Sequence, residues 1–150
     1  MSVHVVRFIP VDPRFVPGAE ADAAALATLR AAAPDAEDVS SETDEHVVFR
    51  DCGENFERIR CPACGAEIAI PTWQAWMDAD YDGAGFRLAP VTMPCCARRE
   101  TLDDLGYDPP QGFSRYALGA TNVRRQLTPR VLRDLEEALG CRLRTIHQMI

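Results

Sequence analysis

The residues best suited to chemistry are cysteines, and two pairs of them stand out among the six in the chain. Cys61-Pro62-Ala63-Cys64-Gly65 spaces two cysteines by two residues. That spacing can put both sulfurs on one tetrahedral ion, and the glycine lets the chain turn tightly beneath it. A closed structural site needs four ligands. The natural source of the other two is Met93-Pro94-Cys95-Cys96, which begins its cysteine pair thirty intervening residues after Cys64. The predicted metal site is therefore Cys61, Cys64, Cys95 and Cys96, holding a structural Zn2+. The second pair lacks the two-residue spacing, and adjacent side chains tend to diverge. Cys52, His46 or His147 as a replacement ligand stays open as an alternative. Four thiolates leave no open coordination position, so this metal would be structural and not catalytic.

Other chemistry-bearing stretches are weaker. Asp78-Ala79-Asp80-Tyr81-Asp82-Gly83 matches the first half of a calcium-binding EF-hand loop, with three carboxylates at alternate positions and a glycine for the turn. The match then fails, because the twelfth position is Ala89 and not a bidentate glutamate. The preferred reading is an acidic helix end, whose carboxylates oppose the helix dipole and would pair with Arg98 and Arg99. Trp73, Trp76 and Tyr81 either cover the metal hairpin or form an anchor for a partner, since such side chains dominate interface hot spots. The candidate partner-binding set is Trp73, Trp76, Asp78, Asp80 and Asp82. His4, His46 and His147 are scattered. No phosphate loop, nucleophile elbow, dinucleotide fingerprint or His-Glu-x-x-His is present, so no catalytic residue is predicted and an enzyme is not expected. Arg124 and Arg125, with Arg130 and Arg133, read as a solvated basic helix entrance.

The elements that must position these residues follow from periodicity and breakers. Residues 3–9 are β-branched and apolar on both faces, and are stopped by Pro10, as in a central strand. Residues 19–33 are alanine-rich with a thin apolar stripe and predict a helix. The acidic stretch 35–45 reads as a solvated loop or weak edge, and 46–50 as a strand. Residues 56–60 and 67–70 form a hairpin around the first cysteine pair. A short helix follows over 73–80, then a strand over 86–93 leading to the second pair. Residues 98–112 read mostly as loop, and 113–118 as a strand. Thr128-Pro129 opens a helix that Gly140 closes, and 141–146 is the last strand. With 52–112 set aside, the order is strand, helix, strand, then strand, helix, strand. That is the element order of an α+β ferredoxin-like (βαββαβ) sandwich, with a zinc-ribbon subdomain at 52–112 inserted into a single 1–150 domain.

Composition narrows the setting. A chain of 150 residues with 47% hydrophobic and 26% charged residues is globular rather than disordered. Its formal charge of −7 argues against a generic nucleic-acid binder. No apolar run approaches the ~20 residues of a membrane span. The N-terminus lacks the features of a secretory signal, so the expected compartment is the cytoplasm, where cysteines favour metal ligation over disulfides. Every basic side chain is arginine.

Residues 56–97 resemble a zinc ribbon, the hairpin-borne knuckle of many transcription and translation proteins, chiefly through Cys61-Pro62-Ala63-Cys64-Gly65. With Leu102-Asp103-Asp104-Leu105 and Gly112-Phe113-Ser114-Arg115-Tyr116 beyond the second pair, the whole looks like small uncharacterised bacterial proteins, a resemblance that implies no activity. The functional expectation is a non-catalytic zinc protein that binds a protein partner. An acidic surface suits a basic partner, as when an immunity protein or antitoxin caps a toxin. The alternative is a nucleic-acid-binding ribbon using Arg98, Arg99, Arg124 and Arg125.

Overall fold

A computed structural model describes residues 2–150. In chain order the elements are β1 (His4–Pro10), α1 (Ala19–Ala32), β2 (Asp38–Arg50), β3 (Arg58–Arg60), α2 (Ile70–Asp80), β4 (Val91–Thr92), β5 (Arg99–Glu100), a 3-10 turn (Leu102–Asp104), β6 (Gly106–Asp108), β7 (Gly112–Thr121), α3 (Pro129–Leu139) and β8 (Leu143–Met149). It is a mixed α and β protein built on antiparallel sheets. The main sheet has the order β2-β7-β1-β8. Each neighbouring pair is antiparallel, with Val6 opposite both Ala120 and His147. Among the described residues, no helix is long and apolar enough to cross a membrane.

The sheet is buried on both faces by different parts of the chain. Alternate side chains of a strand point to opposite faces. Val6, Phe8, Tyr116, Leu118 and Ala120 face α1 and α3, which contribute Ala25, Leu29, Leu135 and Leu139. Each such large apolar side chain contributes roughly 1.5–3 kcal/mol by leaving water. Asp22 of α1 accepts a 2.7 Å hydrogen bond from the buried Tyr116 hydroxyl, tying the helix to β7. On the other face lie Ile9, Ala117, Ile146 and Cys52. Beside them Phe113 and Val47 begin a further apolar cluster with Ile59, Met93, Leu102 and Tyr107. All of the small elements come from the stretch between β2 and β7, which are themselves hydrogen-bonded neighbours. This stretch therefore leaves and rejoins the main sheet at one place.

Two segments differ from the sequence reading, and a third takes one of its two alternatives. The acidic stretch expected as a solvated loop or a weak edge is the first half of β2, from Asp38, paired with β7 as an edge strand. An edge strand has one solvated side, so its polar residues cost little there. The register slips between Thr43 and Val48, and Arg50 fills the slip. Its buried guanidinium donates to Glu42 at 2.8 Å, Asp44 at 2.9 Å, the Ser114 hydroxyl at 3.1 Å and the Arg115 carbonyl at 3.1 Å. The strand expected over 86–93 is paired only at Val91–Thr92, apart from a bridge from Phe86 to Tyr81. The region 98–112 carries β5, the 3-10 turn and β6, a sequence too short per element to show periodicity.

Candidate metal centre

The two cysteine pairs meet. One sulfur from each of Cys61, Cys64, Cys95 and Cys96 lies within 4.8 Å of the other three. Cys61 Sγ is 3.7 Å from Cys96 Sγ, and Cys64 Sγ is 3.2 Å from Cys95 Sγ. These separations exceed the ~2.05 Å of a disulfide. They lie at or below the ~3.8 Å edge of a sulfur tetrahedron built on zinc–sulfur distances of ~2.3 Å. Cys61 is buried, Cys96 half-buried, and Cys64 and Cys95 are exposed. The donor set fits a single tetrahedral thiophilic ion.

Two turns of the same construction carry the four sulfurs. In the first, Cys61 N–H donates to Ala66 C=O at 2.8 Å and Gly65 N–H donates to Cys61 C=O at 2.9 Å. In the second, Met93 N–H donates to Arg98 C=O at 2.7 Å and Ala97 N–H donates to Met93 C=O at 2.9 Å. The left-handed residue is Gly65 (φ 78°) in one and Ala97 (φ 62°) in the other. The turns superimpose in sequence as Cys61-Pro62-Ala63-Cys64-Gly65 and Met93-Pro94-Cys95-Cys96-Ala97. Cys96 thus occupies the place of Cys64. Met93 occupies the place of Cys61, and both are buried, at 1% and 2% exposure. The missing sulfur comes from Cys95, at the third position of the turn, where the first has Ala63. A turn with this backbone explains how adjacent cysteines, whose side chains diverge in a strand, converge here.

The electrostatics of the cluster favour a cation. Burial raises the Cys61 thiol, but the amides of Cys64 and Ala63 and hydrogen bonds from Cys95 and Cys96 outweigh it, lowering its pKa to about 7. The thiol of Cys95 is pushed up to about 12, first by its hydrogen bond to Cys64 and then by burial and by Cys61 and Cys96. One thiolate is thus stabilised at the expense of its neighbours. Four thiolates so close repel one another unless a metal ion lies among them, and ligating sulfurs must be deprotonated.

The support beneath the centre is aromatic. Trp73 of α2 stacks on Phe56 at 5.7 Å and meets Phe49 and Tyr107 edge-on at 5.8 and 6.1 Å. Its indole N–H donates to the Tyr107 hydroxyl at 3.1 Å, and that hydroxyl donates to Leu102 C=O at 2.8 Å. Trp76 is half-buried against the same cluster. Asp78 is exposed, whereas Asp80 is buried. Asp80 accepts from the amides of Leu88 at 2.8 Å and Ala89 at 2.9 Å. Asp82 accepts from the amides of Ala84 and Gly85, both at 2.9 Å, and those bonds lower its pKa. The acidic helix end thus organises the following loop through backbone amides, and no ion pair to Arg98 or Arg99 forms among the described residues. Tyr81 is 48% exposed beside it.

The alternative ligands lie elsewhere. Cys52 is buried against Ile9, Ala117 and Ile146, and its amide donates to Gln111. His147 stacks on His4, with ring centroids 5.3 Å apart. His46 is exposed. Sequence reasoning missed the His4–His147 pair, whose members are 143 positions apart. It also missed the equivalence of the two turns, for which the proline in second place of each was the available signal. No protein-family model, curated protein or solved structure matches the chain.

Proposed function

We propose that this chain is a non-catalytic zinc protein of ferredoxin-like architecture, whose metal pins a ribbon inserted between β2 and β7, and that it acts by binding a macromolecular partner. The observation that carries the metal assignment is the convergence of four cysteine sulfurs from two like turns. A tetrahedral all-sulfur shell selects zinc or iron over harder cations. Zinc needs no redox partner and closes such a shell as a structural ion. The βαββαβ order and the strand order β2-β7-β1-β8 support the architecture.

For the partner, the supporting surface is the end of α2, where Asp78, Tyr81 and Asp82 are exposed and Trp73 and Trp76 are half-buried. With a net charge of −7, this surface suits a basic protein, and a toxin neutralised by an immunity protein or antitoxin is the specific case. Affinity capture with the zinc-loaded protein, compared with an Asp78→Asn/Asp82→Asn variant, tests it. The expected result is a captured basic protein that the variant loses at physiological salt, and identical capture by both would refute the electrostatic reading. One observation favours the second reading: Arg60, Arg98 and Arg99 are exposed around the two turns and make no ion pair among the described residues. A nucleic-acid interface there predicts salt-dependent binding of labelled DNA or RNA, and no binding at low salt would remove it.

A further inference from the structure

A cavity of about 530 Å³ opens on the helix-bearing face of the main sheet, between β1, the edge strand β8 and the loop leading into α3. It shares no residue with the cysteine cluster. Its floor is apolar, with Val6, Phe8 and Leu132 among its walls. Its titratable lining is wholly basic: Arg124, Arg125, His4 and His147, with no carboxylate among the described residues. In a chain with 23 acidic side chains against 16 arginines and 3 histidines, that local bias runs against the composition.

The basic groups are also poised to donate. Arg125 stands 4.0 Å from Asp35, but the Arg124 guanidinium has no ion-pair partner among the described residues. The Arg124 amide donates to Asp35 at 3.1 Å, which holds the loop in place. His4 Nε2 and His147 Nδ1 lie 3.1 Å apart, in stacked rings tilted by 7°. Whichever ring donates in that bond, a neutral pair keeps one N–H free: on His147 Nε2 in one tautomer, on His4 Nδ1 in the other. Thr128, the N-cap of α3, also lines the cavity, and its hydroxyl caps no first-turn amide. Apolar walls with a few convergent polar groups, in a volume between roughly 300 and 1,000 Å³, are the ordinary form of a small-molecule site.

We propose that this cavity binds a small molecule with an apolar body and a carboxylate, the carboxylate held by Arg124 and the His4–His147 pair and the body lying against Val6, Phe8 and Leu132. Guanidinium and carboxylate form paired, charge-assisted hydrogen bonds, so the headgroup supplies specificity and the apolar wall supplies area.

Calorimetric titration of the full-length, zinc-loaded protein with decanoate, decanol and decyl phosphate tests the proposal. Decanoate is expected to bind at least roughly tenfold more tightly than decanol, the size of one charge-assisted contact. Arg124→Ala, an exposed position, should remove most of that preference and leave decanol binding unchanged. Leu132→Trp should fill the cavity and abolish binding of all three, with retained zinc content and far-ultraviolet circular dichroism showing that the variant is folded. Equal binding of decanol and decanoate, tighter binding of decyl phosphate, an unaltered preference in Arg124→Ala, or unaltered decanoate binding by folded Leu132→Trp would each overturn it.

Discussion

Moving the fourth sulfur from position 95 to position 93 should preserve the metal site. The second cysteine turn has the backbone of the first, but its first position is Met93 and its third is Cys95. Structural zinc in small domains binds with roughly 10–16 kcal/mol, so one of four thiolates accounts for about 3 kcal/mol. Cys95→Ala should therefore weaken zinc binding by about a hundredfold or more. Met93→Cys/Cys95→Ala puts a thiol at the place equivalent to Cys61, in a site as buried as that of Cys61. It should recover most of the lost affinity. The shortened side chain at 93 costs about 1–2 kcal/mol of core packing, which lowers the melting temperature without weakening the chelate. Competition with a chromophoric zinc chelator reads the affinity directly. A double variant that binds no better than Cys95→Ala, or a Cys95→Ala variant that loses nothing, would refute the equivalence of the two turns.

Three other perturbations have defined outcomes. Asp80→Ala leaves the amides of Leu88 and Ala89 without their acceptor, at about 1–3 kcal/mol each. The melting temperature should fall by several degrees and hydrogen exchange at both amides should accelerate; unchanged exchange would exclude the role given to this carboxylate. Gly53→Ala drives a Cβ into the Met149 carbonyl oxygen at φ +64°, and should destabilise by about 2 kcal/mol or more in chemical denaturation. A loss of less than about 1 kcal/mol would mean that the Gly53–Met149 bridge yields easily. Zinc binding should release protons near neutrality, at least the one on Cys95, whose thiol lies at about 12. Affinity then rises with pH, since thiolates bind and thiols do not. Calorimetry in buffers of different ionisation enthalpy gives the count, and a pH-independent affinity would contradict the thiolate assignment.

The parts of this molecule that were legible in the sequence are those set by local patterning. Thr128-Pro129 and Gly140 bracket α3, and Gly140 takes the left-handed φ of 76° that a helix stop of this kind requires. The Cys61–Cys64 spacing announces its turn. What was not legible depends on pairing between distant segments. Asp38 to Glu45 is polar enough to leave loop and weak edge undecided, and becomes an edge strand because β7 offers its backbone groups and Arg50 closes the slipped register. Asp80 reads as a solvated carboxylate, but the loop folds back and gives it two amides. The meeting of His4 with His147 follows from β1 and β8 lying side by side, and no local signal marks it.

The central claim is that Cys61, Cys64, Cys95 and Cys96 close around one structural zinc ion. Elemental analysis combined with zinc-edge X-ray absorption of the purified full-length protein tests it most directly. The predicted result is one zinc per chain with four sulfur neighbours at about 2.3 Å and no oxygen or nitrogen neighbour. Metal-free protein that retains its fold, iron in place of zinc, or a nitrogen or oxygen atom in the zinc shell would contradict the account.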